Sequence, residues 1–588
     1  MELAAIFSDS GNITITIASY QVSQLNFKWR YKFMTHWYEH AIIYQIYPKS
    51  FQDSNDDGIG DLNGIRQRLP YLQQLGINTI WLNPVFVSPQ VDNGYDVADY
   101  FKIDPRMGTM KDMKALIAAC HQVGIHVLLD FVLNHTSDQN EWFQKAKSDP
   151  HSQYRDYYIF AGANNQRPNN WGSFFGGSVW EPDPAGTGQF YFHLFDKHMP
   201  DLNWRNPKVR QEMLKIAEFW LAQGIDGLRL DAFIHIAKAD LRQSFPVKKI
   251  ANENDQTIVA EPFFANLPQV QNWLRPFCEQ IKKDYPEALL LGEAASANVN
   301  LAADYTAKDH HLLDSVVTFR YFKDDQGHID PSLPADFQPK GLDWDAFKKT
   351  QVIWQQTLAQ VSQPTLYWSN HDMPRLASRI AKTETQARSL AMLMYLQRGI
   401  PIIYYGEELG LKNLLFTAKE EFNDQEAEGF ITKAADWGLT KAAALKMVSQ
   451  AHKMPARGPM PWTTKKPNYG FSKVRPWLEG QSQNNANVQA ELDDPDSMFN
   501  FYRQLISLKK TALFQSGSFY LLATANDSYV YQRDLANDSA IVAVSLSSQK
   551  LKIKLPGEYR KVMLTAGQHY LNNDELILMP YSGVVLSK

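Results

Sequence analysis

The sequence predicts an α/β fold: a closed (β/α)8 TIM barrel with an insertion after its third strand and a C-terminal antiparallel β-sandwich. Three observations predict it. Eight short apolar runs of strand length, rich in Ile, Val, Leu and aromatic residues, recur along the chain. Helical periodicity, as in 110–123 and 209–223, precedes most of them, which is the alternation of a parallel sheet buried on both faces. Four runs stop at a carboxylate: 125–129 at Asp130, 225–230 at Asp231, 288–292 at Glu293 and 365–371 at Asp372. In such a barrel the C-terminal ends of the strands carry the chemistry. Carboxylates gathered at one mouth are costly unless they have a use, so the chain reads as an enzyme.

In chain order the runs are 42–47, 77–82, 125–129, 225–230, 288–292, 315–319, 365–371 and 400–404. After the third comes a stretch rich in Asn, Gly, Pro and aromatics, too long for an ordinary connection and read as an inserted domain. After about residue 495 the pattern changes to a helix, 497–510, and short alternating segments at 529–533, 540–545, 551–555 and 584–586. These predict a small sandwich. The expected divisions are therefore 34–135 and 207–495 for the barrel, 136–206 for the insertion and 496–588 for the sandwich. Residues 1–33 place Glu2 early and Lys28, Arg30 and Lys32 late, the reverse of a secretory signal. They read as an extension outside the fold, with Met34 as the natural start.

Bulk properties narrow the partners. A chain of 588 residues with formal net charge -4 favours neither a polyanion nor a membrane surface. No run approaches eighteen apolar residues, so no membrane span is expected. Cys120 and Cys278 are the only cysteines, which excludes a disulfide scaffold and a thiolate metal site. A reducing compartment, the cytoplasm, is the default. The expected state is a monomer or homodimer without nucleic-acid partners.

At the strand ends stand Asp130-Phe-Val-Leu-Asn134-His135, Gly227-Leu-Arg229-Leu-Asp231-Ala232, Gly292-Glu293-Ala294 and Asn370-His371-Asp372. They resemble, in order, four strand-end motifs of glycoside hydrolase family 13, the α-amylase family. Gly60-Asp-Leu-Asn-Gly64, Met199-Pro-Asp201-Leu-Asn203-Trp204 and the 399–408 segment ending in Glu407-Glu408 match as well. The resemblance runs from about Trp37 to the C-terminus and points to the branch of oligo-1,6-glucosidases and α-glucosidases.

Cleaving a glycosidic bond with retention needs two carboxyl groups about 5–5.5 Å apart, one nucleophilic and one protonated. By resemblance Asp231 is the nucleophile, Glu293 the general acid/base and Asp372 the third catalytic carboxylate. Arg229, two residues before Asp231 on one strand, faces the same side and orients it. The resemblance also implies substrate contacts from Asp92, Tyr95, Asp130, His135, His371 and Arg457. Lys453 and Pro461, flanking Arg457, depart from the usual Arg and Gln.

A metal site is legible in 53–61. Asp53, Asn55, Asp57, Ile59 and Asp61 set oxygen donors at every second position among glycines, like the first part of an EF-hand loop. No Glu follows at the twelfth position, so an EF-hand is excluded. The loop resembles the structural Ca²⁺ site of this branch, with Ile59 contributing its carbonyl. No organic cofactor is expected.

The resemblance implies an exo-acting retaining α-glucosidase that takes glucose from small oligosaccharides. Ala232, where the branch tends to carry Val with α-1,6 activity and Ala or Thr with α-1,4, leans towards α-1,4 bonds. The alternatives on the same scaffold are an oligo-1,6-glucosidase or dextran glucosidase, a trehalose-6-phosphate hydrolase, and a transglycosylase or sucrose isomerase. The sparse Arg320-Tyr-Phe-Lys323 argues against isomerisation. A non-catalytic transporter-associated relative is disfavoured because all three carboxylates are present.

Overall fold

The computed structural model describes residues 36–246, 257–310, 312–323, 333, 337–338, 341–522 and 527–588. The extension expected at 1–33 lies outside them. Eight parallel strands form the barrel sheet: β1 (Ile43–Ile46), β2 (Thr79–Leu82), β3 (His126–Val132), β4 (Gly227–Asp231), β5 (Leu289–Glu293), β6 (Ser315–Val317), β7 (Thr365–Leu366) and β8 (Ile400–Tyr404). The ladder runs β6-β5-β4-β3-β2-β1-β8-β7. Side chains close the ring between β6 and β7. The Thr365 hydroxyl donates to the Val316 carbonyl at 2.9 Å, and the Ser315 hydroxyl to the Gln363 carbonyl at 2.6 Å.

β7 is much shorter than the apolar run that announced it. Beyond Leu366 the polar groups turn sideways: the Tyr367 hydroxyl donates to the Thr318 carbonyl and the Trp368 indole to the Leu390 carbonyl. The Asn370 side chain then accepts from the Asp372 backbone N–H at 2.8 Å. That local turn, which short polar side chains favour, replaces a strand and lifts Asp372 to the barrel mouth. Elsewhere strand ends differ from the apolar runs by at most two residues, except that β3 continues three residues past its run, so Asp130 sits within the strand and not at its end.

Register gathers the chemistry. Asp130 pairs with Arg229 and Val132 with Asp231 across β3 and β4. Leu291 pairs with Arg229 across β4 and β5, which puts Glu293 one step beyond. Side chains two apart share a face, so Arg229, Asp231 and Glu293 converge. Gly292, beneath Glu293, is required by packing. A Cβ there would lie 2.5 Å from Leu313 and 2.6 Å from the Phe233 ring.

The segment after β3 carries its own three-stranded antiparallel sheet, from Phe160–Ala161, Phe190–Phe192 and Trp180–Pro182, over a separate core that includes Trp171, Trp180, Phe192 and Phe264. The C-terminal part packs a five-stranded sheet against a three-stranded one. The first contains β9 (Ser518–Leu521), β10 (Ser528–Leu535), β11 (Asp538–Ser545), β13 (Lys561–Ala566) and β16 (Gly583–Ser587). The second contains β12 (Leu551–Lys554), β14 (His569–Asn572) and β15 (Glu575–Leu578). Alternation along β10 shows why it holds: Val530 enters the sandwich core while Tyr529 and Tyr531 enter the barrel core.

Candidate active site

Arg229 is the centre of the mouth. Its Nη1 donates to Asp130 at 2.8 Å and to Asp231 at 2.5 Å, and its Nη2 lies 3.1 Å from Glu293. The Glu293 carboxylate also accepts from the backbone N–H of Ala232 at 3.1 Å. Ala232 has φ 48°, the left-handed region, directly after Asp231. Strain of this kind, held by surrounding packing, turns the chain sharply at the site.

Exposure distinguishes the acids. Asp130 is sealed, whereas the Asp231, Glu293 and Asp372 side chains keep 10%, 12% and 27% of their surface open. These three carboxylates thus each keep part of their surface open at the barrel mouth. Burial raises Asp231, and Glu293, Asp130 and Asp372 add to this, while the Arg229 guanidinium opposes it. Burial raises Asp130 too, against the pull of Arg229. Asp130 and Asp231 are thus both pushed up by burial and drawn back by the same guanidinium. Burial also acts to raise Asp372, but His371, Lys453 and Arg457 outweigh it and hold its carboxyl far below the usual range.

A relay of hydrogen bonds fixes the floor. The Gln45 amide donates to His371 Nδ1 at 2.8 Å, so Nε2 carries the hydrogen. Nε2 faces the Tyr95 oxygen at 2.5 Å and Asp372 at 3.1 Å, and the Tyr95 hydroxyl donates to Asp130 at 3.0 Å. Burial lowers His371 well below its ordinary value and lowers His135 to about 4, so both rings are neutral near pH 7. His135 Nε2 is buried with no hydrogen-bond partner among the described residues. Arg457 donates from Nε to the His371 carbonyl at 2.8 Å and from Nη2 to Asp372 at 3.1 Å.

Asp92, Tyr95, Asp130, His135, Arg229, His371 and Arg457 are all linked to this network or adjoin it. Asp92 enters through Lys453, whose Nζ lies 3.8 Å away and also 5.3 Å from the Phe175 ring. Lys453 had no role assigned from sequence; its place four residues before Arg457 was the available signal. Gln45 and the buried Lys238–Asp201 pair, 2.6 Å apart, also went unassigned. Lys238 Nζ reaches Asn134 at 2.8 Å and ties the inserted segment to the end of β3.

The expected metal residues share one loop away from these acids. Asp53 accepts from the backbone N–H groups of Asn55, Asp56 and Gly58, and Asp61 from those of Ser54 and Gly64. Gly58 has φ 89°, and a Cβ there would meet the Arg475 carbonyl at 2.3 Å, so only glycine fits. Among the described residues no group of three His, Cys, Asp or Glu side chains is gathered as a metal site. Asn55 and the Ile59 carbonyl therefore have to complete any donor set. Its all-oxygen chemistry fits a hard cation such as Ca²⁺.

Comparison with known proteins now decides the family. A profile described as "Alpha amylase, catalytic domain" matches residues 45–517. The chain belongs to the α-amylase family. It is 36% identical over 533 residues to an oligo-1,6-glucosidase of Parageobacillus thermoglucosidasius, covering 88% of this chain and 92% of the relative. An α-glucosidase of Pediococcus pentosaceus is 36% identical over 507 residues, covering 84% and 88%. A solved structure titled "Family GH13_31 enzyme" superposes with a TM-score of 0.87 at 66% identity, covering 94% of this chain and all of the other. This α-amylase-family chain is a glycoside hydrolase of the oligo-1,6-glucosidase and α-glucosidase branch. Among the described residues no helix is long and apolar enough to cross a membrane.

Proposed function

We propose that the chain is an exo-acting, retaining α-glucosidase that releases terminal glucose from short oligosaccharides and favours α-1,4 over α-1,6 bonds. The observation that carries this reading is the single guanidinium shared by Asp231 and Glu293. Asp231 attacks the anomeric carbon as Glu293 gives its proton to the leaving oxygen. Glu293 then takes a proton from water, which attacks the same carbon, breaks the Asp231 ester and yields product of the original configuration. Asp372, held ionised by its cations, and Arg457 steady the charge that develops on the sugar. Asp92, Tyr95, His135 and His371 bind the terminal glucose from below. Two free, buried thiols suit a cytoplasmic setting.

The relatives named oligo-1,6-glucosidase favour a second reading, with α-1,6 bonds preferred. Digests of maltose, isomaltose, panose, sucrose and trehalose 6-phosphate separate the two by chromatography. Glucose released faster from maltose than from isomaltose supports the first reading; the reverse order overturns it in favour of the second.

We also propose that Asp53, Asn55, Asp57, Asp61 and the Ile59 carbonyl hold a structural Ca²⁺. Bound there, the ion would supply charge neutralisation to an acidic loop and take no part in the reaction. Elemental analysis of dialysed protein is expected to find about one Ca²⁺ per chain, and its absence removes the claim.

A further inference from the structure

A cavity of about 290 Å³ lies behind the loop that carries Asp92. Lys49, Arg106, Gln90, Asn93, Asn423 and Trp477 line it together with Met107 and Ile59 of the proposed Ca²⁺ loop, and no acidic residue does. Lys49 is buried, with its Nζ 3.0 Å from both Gln90 Oε1 and Asn93 Oδ1 and 3.9 Å from the centre of the Trp477 ring. No carboxylate lies within ion-pair distance of it among the described residues. Burial pulls its amine down to about 7, with Arg106 and Arg457 adding to this and Asp104 and Asp96 opposing it. Arg106 grips Asp104 with Nε, at 2.8 Å, and with Nη2, which also donates to the Ser88 carbonyl at 2.7 Å; Nη1 has no protein partner among the described residues.

A buried ammonium without a counter-charge is costly. Here it stands with a second cation, Arg106, which is paired with Asp104 but keeps Nη1 open, and with three side-chain amides and an indole around a space large enough for a tetrahedral anion. Charge-assisted donation from Lys and Arg is the chemistry that recognises phosphate. We propose that this cavity is a second ligand site, which takes a phosphate-type oxyanion, free or carried on a hexose, between Lys49 and Arg106. None of the catalytic carboxylates lines the cavity, so the site is distinct from the one that cleaves sugar.

Isothermal titration of the intact protein with inorganic phosphate, and separately with glucose 6-phosphate, tests this. The expected result is one saturable site per chain, unaffected by excess glucose and retained in Asp372→Asn. Lys49→Met and Arg106→Gln should each weaken binding at least tenfold while the circular dichroism spectrum stays unchanged. If Lys49→Met fails to fold, Arg106→Gln decides alone. Equal affinity for the two probes points to free phosphate, and tighter binding of the sugar phosphate points to the carried group. No saturable binding in the wild-type protein, or binding lost in Asp372→Asn and kept in both cation variants, overturns the proposal.

Discussion

Two sets of carboxylates stand at strand ends of this barrel, and their surroundings are opposite. Asp231 and Glu293 share Arg229 and keep about a tenth of their side-chain surface open, 10% and 12%. Glu407 and Glu408, just past β8, are sealed and held by phenols. Tyr395 and Tyr502 donate to Glu407, and Tyr44 and Tyr71 to Glu408. Among the described residues neither has an ion-pair partner. Burial pushes Glu407 up to about 7 and also raises Glu408. A strand-end carboxylate is therefore not catalytic by position alone. The pair proposed as catalytic has a shared cation and an open edge, whereas Glu407 and Glu408 have four hydroxyls and no open edge, the surroundings of a structural anchor.

The sharpest way to break this contrast is to neutralise one acid in each set. Asp231→Asn or Glu293→Gln should lower kcat by about 10⁴-fold, with melting temperature near that of the wild type. Glu408→Gln should leave kcat within a few-fold. Comparable losses from both sets would show that the division is wrong.

Next in size is the clamp. Arg457→Ala removes a cation from Asp372 and should cost about 10²–10³ in kcat/KM. Steady-state kinetics on the best disaccharide read it directly.

Ala232→Val sharpens the linkage question. The ratio of kcat/KM for isomaltose over maltose should rise about tenfold. A β-branched residue at φ 48° should also cost about 1–2 kcal/mol of stability, visible in urea unfolding.

The smallest effect concerns pH. Glu407 titrates near 7 in the folded chain against an ordinary value of 4.5. Between those values the folded state holds the extra proton, so its stabilising contribution is complete below about pH 4.5 and is lost as pH rises through about 7. Glu407→Gln, uncharged throughout, should gain melting temperature relative to wild type at pH 8 and not at pH 5. Buried His135, lowered to about 4, has the opposite sign, with stability rising from about pH 4 to 6.5.

The barrel was legible because buried parallel strands are written as apolar runs, and the carboxylates that end them cannot be mistaken for core. β9, β13, β14 and β15 were not read, because strands such as β14 alternate half-buried and exposed residues and carry a weak apolar signal. β7 was over-read because Tyr367 and Trp368 are buried, as a strand would demand, but bond outside the ladder. In the site, residues with distinctive charge at strand ends were found. Gln45 and Lys238 were missed because a neutral amide on β1 and a lysine beyond β4 acquire meaning only through partners distant in sequence, His371 and Asp201.

The proposed reaction turns on Asp231 bonding to the sugar while Glu293 moves the proton. Incubating the protein with 5-fluoro-α-glucosyl fluoride, then digesting with pepsin and sequencing peptides by mass spectrometry, tests it most directly. One fluoroglucosyl adduct is expected, on Asp231, formed in wild type and absent in Asp231→Asn. An adduct on another carboxylate, or turnover of the reagent with none in any peptide, would contradict it.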